Sequence, residues 1–324
     1  MIRILGNILE MRLGSESDHS NAFVTALDRA AHRRIDDDWL HRQSLDTAEI
    51  IFCWKDCNLF SVAPDKRPLF LKADGKAVGL DLIFLGVRGN GGPLFAADLK
   101  EQTSADDALA CLALTSDRAR FVPLRQFDGP LSAEERALLF YSRALLIWHR
   151  ELKFCGRCGS PTRPEEGGHV MACTNPSCAK KHFPRIDPAI IMLVHSGDHC
   201  LLGRQAAWPK GFYSTLAGYV EPGERLEEAV YREAKEESGI EVSNIRYFGS
   251  QPWPFPHSLM LGFFAEAQTT EISRGAELED VRWFDLSEAT EIVRRFSMRF
   301  PHLDPIARRL IRHWVETTEA GRGV

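Results

Sequence analysis

GYVEPGERLEEAVYREAKEESGI, residues 218–240, is the stretch that decides the fold of this 324-residue chain. Its glycine-containing first part predicts a loop, and the remainder predicts a helix from about residue 226 to 238. Glu233, Glu236 and Glu237 are spaced i, i+3 and i+4, so all three carboxylates share one helix face. Like charges at this spacing repel one another, and a hard divalent cation offsets the repulsion. A solvated acidic face on an amphipathic helix is the alternative, which composition alone favours.

The full order of residues in this segment favours cation binding. Glycine, five residues, glutamate, seven residues, Arg-Glu, two residues, Glu-Glu, one residue, glycine and an apolar residue is the Nudix box. The chain therefore resembles the Nudix hydrolase family, and the resemblance implies that Glu233, Glu236 and Glu237 bind Mg²⁺ or Mn²⁺. Four further box positions are implied to be structural: Gly218 and Gly239 as turn and cap residues, and Glu224 with Arg232 as an ion pair.

Four cysteines upstream of the box form two pairs. Two residues separate Cys155 from Cys158, and four residues separate Cys173 from Cys178. Zinc takes four soft ligands in a tetrahedron, and two short loops can supply two thiolates each. A closed four-thiolate site has no open position, so we expect a structural zinc, with four buried free thiols as the alternative. The remaining cysteines are expected to be packing or inert residues: Cys53, Cys57, Cys111 and Cys200.

Composition limits the other functional classes. The chain is 44% hydrophobic and 26% charged with a net charge of −5, which does not favour nucleic-acid binding through bulk charge. No apolar run is long enough to predict a membrane span, and the N-terminus does not read as a signal peptide. Without a secretion signal, metal ligation or free thiols are expected rather than a disulfide framework. We therefore expect a cytoplasmic location.

The remaining patterns predict elements on either side of the cysteine pairs. Apolar runs, with turn residues such as Asp74-Gly75 beside them, predict strands at residues 50–54, 80–87 and 93–97. Ser132 followed by Glu135 predicts a capping box at the start of a helix. The apolar run 189–195 predicts a buried strand.

These elements and the resemblance predict an α+β fold class. We expect a Nudix α/β/α sandwich with a mixed sheet, preceded by a zinc ribbon and a mainly β N-terminal domain. The expected boundaries are, in chain order, 1–130 for the N-terminal domain, 131–152 for a connecting helix, 153–184 for the zinc ribbon and 185–315 for the Nudix domain.

Residues 250–258, SQPWPFPHS, bear on the substrate. Three prolines and two aromatic rings predict a stiff, ordered loop with flat apolar faces, with an ordinary proline-rich turn as the alternative. This segment begins thirteen residues after Glu237, and with the four-cysteine unit it resembles the NADH pyrophosphatases of the Nudix family. That resemblance implies hydrolysis of NAD or NADH to nicotinamide mononucleotide and AMP, NAD-capped RNA as a further substrate, and a homodimer that shares the site across its interface.

The same resemblance implies residues for the substrate pocket. Tyr219 and Phe183 match aromatic positions that stack on bases, a task suited to planar rings, although either could equally belong to a core. Glu277 matches an acidic residue that helps with the metals or the base, with a surface glutamate as the alternative. The other positions implied to contact substrate are Gln251, Trp253, Phe255, Ser258, Met260 and Ala307.

Two aspects of function stay open at the level of sequence. Glu237, Glu236 or Glu277 could be the general base. The choice depends first on the distance from each carboxylate to the attacking water, which a sequence does not give, and only then on pKa. The alternatives for activity are hydrolysis of ADP-ribose, a dinucleoside polyphosphate or a nucleotide sugar, and a non-catalytic nucleotide-binding zinc-knuckle protein. The proline-aromatic segment disfavours the first alternative. The complete acidic set disfavours the second, because carboxylates without a metal repel phosphate.

Overall fold

The structure, a computed structural model, describes residues 27–43, 47–73 and 79–322. Residues 1–26 of the expected N-terminal domain and the expected Asp74-Gly75 turn lie outside these ranges. Among the described residues, no helix has both the length and the apolar character needed to span a bilayer.

The N-terminal unit is built on a seven-stranded sheet. Its elements are β1 (Leu27–Asp28), α1 (Asp37–His41), β2 (Glu49–Trp54), β3 (Cys57–Ser61), β4 (Phe70–Lys72), β5 (Leu82–Arg88), β6 (Pro93–Asp98), α2 (Ala105–Cys111) and β7 (Ala119–Pro123). β2 and β6 are parallel, and the other pairs are antiparallel. Strand residues alternate between faces, so Ile50 and Phe52 pack on the side of α2 while Ile51 packs on the opposite side.

Helix α3 (Ala133–Glu151) joins the N-terminal unit to the rest of the chain. The predicted capping box is confirmed: the Glu135 amide donates to the Ser132 hydroxyl at 3.1 Å, and the Ser132 amide donates to Glu135 Oε2 at 2.7 Å. The apolar face of α3 packs under the N-terminal sheet in a cluster that also takes in Trp253 and Leu303 from the C-terminal unit. One hydrophobic core therefore bridges the two units.

The ribbon is a three-stranded antiparallel sheet in the order β10-β9-β8. Its strands are β8 (Thr162–Glu165), β9 (Val170–Cys173) and β10 (Lys181–His182).

The C-terminal unit contains a six-stranded mixed sheet. Its elements are β11 (Asp187–Ser196), β12 (His199–Arg204), β13 (Leu216–Tyr219), α4 (Leu226–Ser238), β14 (Val242–Trp253), β15 (Ser258–Ala267), β16 (Asp280–Asp285), α5 (Leu286–Arg299) and α6 (Ile306–Arg322). β11 and β15 run parallel, and the other strands pair antiparallel. The predicted helix at 226–238 and the predicted strand at 189–195 are both present.

Alternation along β11 explains the three layers of this unit. Ile190 and Met192 pack against α4 on one face, whereas Ile191 and Leu193 pack against α5 and α6 on the other. Each such buried side chain contributes about 1.5–3 kcal/mol of transfer free energy. The α/β/α sandwich with a mixed sheet is therefore confirmed, and the helix that carries the box glutamates covers one face of the sheet.

Two expectations differ from the structure. Residues 250–258 are for the most part a β-hairpin rather than a loop, because β14 continues through Trp253 and β15 starts at Ser258, with these two residues paired. Pro252 has no amide donor, but its neighbours Gln251 and Trp253 are paired with Met260 and Ser258. Only residues 254–257 form the turn. The last helix continues to Arg322, past the expected boundary at 315.

Candidate functional site

The four ribbon cysteines bring their sulfur atoms into one cluster. Cys158 Sγ lies 3.4 Å from Cys173 Sγ, and Cys155 Sγ lies 3.9 Å from Cys178 Sγ. All four sulfurs are within 4.8 Å of one another. With zinc–sulfur bonds of about 2.3 Å, a tetrahedral site separates its sulfurs by about 3.8 Å, so the cluster fits a zinc ion.

Polar groups around the thiols favour ionised ligands. The Ser160 hydroxyl and amide donate to Cys158 and lower the pKa of its thiol, whereas burial raises the pKa of the neighbouring Cys173 thiol, so the polar contacts favour the thiolate form at Cys158 first. His182 Nε2 lies 3.3 Å from Cys155 Sγ, a contact of the kind that orients metal ligands. Outside the ribbon, Cys200 is buried but Cys111 is exposed, so a core role is wrong for Cys111.

The loop before α4 is fastened to the helix by an ion pair. Arg232 Nε donates to Glu224 Oε1 at 2.8 Å, and Arg232 Nη2 donates to Glu224 Oε2 at 3.0 Å. The same Nη2 donates to the Tyr219 carbonyl at 3.0 Å. This is the pair that the box implies, and its two-point geometry fixes the end of β13 beside the acidic helix face.

The two box glycines have different structural roles. Gly239 ends α4 in the left-handed region at φ 75°, as expected for a cap. Gly218 was expected at a turn, but it lies inside β13. A Cβ atom at Gly218 would overlap the Glu233 carboxyl group, so the absence of a side chain is what lets this carboxylate lie against the strand.

The box glutamates occupy unequal environments. Glu237 is only 6% exposed, and its Oε2 accepts from the Ala217 amide at 3.2 Å. Burial, followed by repulsion from Glu233, raises the pKa of Glu237 to about 8. Burial also raises the pKa of Glu233. Glu277, exposed in the loop before β16, is close enough for its charge to raise the pKa of both carboxyl groups.

Arg232 keeps two of these carboxylates partly occupied. Its Nη1 donates to Glu233 Oε1 at 2.8 Å and to the exposed Glu236 Oε2 at 3.0 Å. Among the described residues the ribbon thiols form the tight cluster of ligand atoms, and the carboxylates are more widely spread. The acidic set still fits a hard cation: its donors are oxygens, they raise one another's pKa, and the missing Cβ of Gly218 lets Glu233 lie against β13 beside Glu237.

A cavity of about 280 Å³ runs from Glu237 to the start of α6. It brings together four of the residues expected in the substrate pocket: Gln251, Trp253, Met260 and Ala307. It also has aromatic walls that the sequence analysis missed, formed by Trp208, Phe212, Phe296 and Phe300. The Trp-Pro-Lys-Gly-Phe run just before the box was the available signal, because aromatic residues in a loop beside a predicted site can form a pocket wall.

Two other expected pocket residues line a neighbouring groove. Phe183 and Ser258 both face a groove of about 930 Å³, and the Ser258 hydroxyl lies 3.4 Å from that of Tyr219. Phe183 is 67% exposed and Tyr219 is 56% exposed, which excludes a core position for either ring. Both rings are accessible for stacking.

Gln251 and Phe255 are engaged within the protein. Gln251 Oε1 accepts from the Ile306 amide at 2.7 Å, and Gln251 Nε2 donates to the Asp304 carbonyl at 3.1 Å. Phe255 lies edge-on to Phe140 with ring centroids 5.8 Å apart. Gln251 thus holds the N-terminus of α6 in place beside the cavity, and Phe255 supports the hairpin against α3.

Comparison with protein families matches three consecutive parts of the chain. Residues 185–308 match the NUDIX domain, residues 150–183 match the NADH pyrophosphatase zinc ribbon domain, and residues 19–148 match the NADH pyrophosphatase-like rudimentary NUDIX domain. The last match agrees with the two sheets, since each contains one parallel strand pair among antiparallel neighbours.

Several characterised proteins are similar over much of the chain. The NAD-capped RNA hydrolase NUDT12 of Homo sapiens is 32% identical over 90% of this chain and 72% of its own length. The NAD(P)H pyrophosphatase NUDT13 of Mus musculus is 40% identical over 73% and 72%, respectively. The NAD-capped RNA hydrolase NudC of Stutzerimonas stutzeri is 44% identical over 56% and 65%. The chain therefore belongs to the Nudix hydrolase family, within the group that carries the NADH pyrophosphatase zinc ribbon.

Proposed function

We propose that the chain hydrolyses the central diphosphate of NAD or NADH, releasing nicotinamide mononucleotide and AMP, and that NAD-capped RNA is a further substrate. The observation that carries this proposal is the position of Glu237, buried where an aromatic-walled cavity meets the acidic face of α4. A cavity of this kind suits a planar base, and the acidic end suits a cation-bound diphosphate. The relatives add support, because their names describe enzymes that act on NAD(P)H or NAD-capped RNA.

In this proposal Glu233, Glu236, Glu237 and Glu277 hold Mg²⁺ or Mn²⁺. When bound, these ions neutralise the diphosphate and lower the pKa of water. The protein's own residues position the substrate: the cavity takes one base, Tyr219 and Phe183 stack on the other, and Ser258 offers a hydroxyl between them. Arg232 keeps the loop between β13 and α4 rigid, and it engages one oxygen of Glu233 and one of Glu236, so the second oxygen of each carboxylate would be available to an ion.

The general base and the attacked phosphorus belong to the same proposal. Glu237 has a raised pKa, which suits proton transfer near neutral pH, whereas Glu236 and Glu277 are more exposed and would approach the attacking water from the solvent side. By family resemblance, we expect water to attack the phosphorus on the adenosine side. The ribbon zinc takes no part in these steps, because four thiolates leave it no open position.

We also propose that the enzyme is a cytoplasmic homodimer. A reducing compartment suits the chain, because all eight cysteines are free and four of them must stay reduced to bind zinc. The resemblance to the NADH pyrophosphatases supports the dimer, and the exposed ring of Phe154 on the ribbon offers an apolar contact to a second copy. Sedimentation of the purified protein tests the dimer, and a single monomeric species at micromolar concentration would contradict it.

The test of activity is a product analysis in ¹⁸O-labelled water. Purified protein is incubated with NADH and Mg²⁺, and the products are separated and weighed by mass spectrometry. AMP and reduced nicotinamide mononucleotide in equal amounts, with the label in AMP, support the proposal. Faster turnover of ADP-ribose or a nucleotide sugar at equal concentration would move the assignment to another Nudix activity. No turnover of any of the three would favour a binding protein.

A further inference from the structure

The groove that Ser258 and Phe183 enter has a strong charge bias. It lies where the N-terminal unit, α3, the ribbon and the β14–β15 hairpin meet. Within the described part of the chain, Glu166 is the one acidic residue on the walls of the groove. The same walls carry five arginines: Arg29, Arg34, Arg136, Arg185 and Arg309. We call this feature the basic groove. A positive concave surface on a chain of net charge −5 concentrates anions locally.

Most of these arginines are not neutralised by a carboxylate. Arg185 pairs with Asp187 at 2.8 Å, but within the described ranges the other four form no ion pair within 4.0 Å. Arg29 instead lies over the Tyr141 ring at 4.1 Å, and Arg136 donates to the His302 carbonyl at 3.0 Å. The buried Nε of Arg34 has no hydrogen-bond partner among the described residues. Ring and carbonyl contacts thus hold Arg29 and Arg136 in place, and none of the four guanidinium groups is neutralised by an ion pair in the described part of the chain.

Two buried histidines stiffen the same walls. His169 and His257 are 7% and 6% exposed, and both line the basic groove. Nε2 of His169 is bonded to the Tyr141 hydroxyl at 2.9 Å, and Nε2 of His257 to Glu151 at 2.7 Å. The Nδ1 atom of each ring has no partner among the described residues. Each Nδ1 atom is itself buried, so the two rings act by fixing the Tyr141 and Glu151 side chains rather than by contacting a ligand.

The basic groove adjoins the proposed active site at Ser258 and Tyr219. Ser258 lines the groove and contacts Tyr219, whose carbonyl is held by Arg232 on the acidic face of α4. Gln251 and Trp253 line both the groove and the cavity that begins at Glu237, so a single wall separates the two spaces. A substrate longer than a dinucleotide can therefore leave the site along the groove.

We propose that the basic groove binds the single-stranded RNA that follows the dinucleotide cap. Arg29, Arg34 and Arg136 contact its phosphates. Positively charged walls beside accessible aromatic rings are the usual design for binding a single strand without sequence preference. RNA fits better than a second copy of the chain, because a protein partner would have to present as many unpaired carboxylates as there are free arginines. This inference rests on the proposed function, which places the cap at α4.

The kinetic test compares two substrates in the intact, zinc-loaded protein. Arg29→Gln and Arg34→Gln are assayed with NAD and with an NAD-capped single strand of about 10 nucleotides, a length within the usual site size. We expect kcat/KM for the capped RNA to fall about tenfold in each variant while kcat/KM for NAD stays within about twofold. Arg294→Gln is the matched control, because Arg294 is an exposed arginine on α5 that pairs with Glu291 at 2.6 Å, away from the groove.

A binding experiment separates failure of the groove from failure of the proposed function. The affinity for the same RNA with a 5′-monophosphate in place of the cap is measured by fluorescence anisotropy over a range of KCl concentrations. Each arginine variant should weaken binding and reduce the slope of log affinity against log salt by about 0.7. If the wild type hydrolyses no capped substrate but this dependence holds, the function fails and the groove assignment survives.

Three outcomes would overturn the groove assignment. Unchanged RNA affinity in both variants would remove the arginines from the contact. An equal loss of kcat/KM with NAD and with capped RNA would assign the arginines to the dinucleotide or to the fold. If the variants sediment as monomers rather than dimers, and the loss of RNA affinity follows from that change alone, the groove is a contact between copies.

Discussion

The thiol cluster and the carboxylate cluster are both suited to metal, and they are built in opposite ways. In the ribbon, two short turns bring four sulfurs within 4.8 Å of one another, close to the spacing that a tetrahedral ion requires. On α4, Glu237 points to the Ala217 amide while Glu233 and Glu236 point to Arg232, and the cluster opens into a cavity. The first arrangement is closed and suits stability. The second is open and holds repelling charges, which suits exchange of ions and substrate.

The largest expected effect is on the open site. Glu237→Gln removes the buried carboxyl group that would bind the cation, and we expect turnover of NADH to fall by about 10³-fold, or about 4 kcal/mol of transition-state stabilisation. The fold should survive, because glutamine can keep the bond from the Ala217 amide. Steady-state rates and circular dichroism measure the two effects. Glu227→Gln, an exposed change on the same helix, is the control, and retained activity in Glu237→Gln would remove this residue from the ligands.

The second effect concerns the space beside Glu233. Gly218→Ala places a methyl group in overlap with the Glu233 carboxyl group, which must move away from β13. We expect a loss of about 10²-fold in kcat with a higher Mg²⁺ requirement, because a displacement of about 1 Å is enough for such a loss. Gly89→Ala is the control, since a Cβ atom at Gly89 would have nothing within 4 Å. Wild-type rates and metal dependence in Gly218→Ala would show that the contact is relaxed elsewhere.

The closed site should respond in stability. Cys155→Ser removes one of four thiolates, and we expect lower zinc content together with a lower melting temperature, because structural zinc binding contributes directly to folding free energy. Zinc is measured by elemental analysis and unfolding by calorimetry. Cys111→Ser, a change at an exposed thiol outside the cluster, should alter neither quantity. Unchanged zinc stoichiometry in Cys155→Ser would contradict the ribbon assignment.

A separate effect, on stability rather than on rate, is a pH dependence that arises at the open site. Because the pKa of folded Glu237 is raised to about 8, the native state retains a proton that the unfolded state has lost. In buffer without added divalent ions, this group therefore lowers the free energy of unfolding as pH rises from about 5 to 8. The difference in urea midpoint between wild type and Glu237→Gln should grow across this range and shrink when Mg²⁺ is added. A difference independent of pH would mean that Glu237 ionises normally.

Much of this molecule follows from local sequence. The i, i+3, i+4 spacing places the glutamates on one helix face whatever the surroundings, the Ser132–Glu135 pair caps α3, and the paired cysteine spacing predicts the metal cluster. These features depend on residues close together in the chain, and helical or turn geometry relates such residues directly.

Tertiary structure decided the features that depend on distant segments. Gly218 is needed inside a strand because α4 folds back and places Glu233 against it, and no pattern around Gly218 shows this. Gln251 is bound to the start of α6, and the aromatic cavity takes Trp208 from one loop and Phe296 from α5. Likewise, the basic groove gathers arginines from four parts of a chain that is acidic overall. Proximity of this kind is set by packing of the sheets and helices, so composition and spacing could not have predicted it.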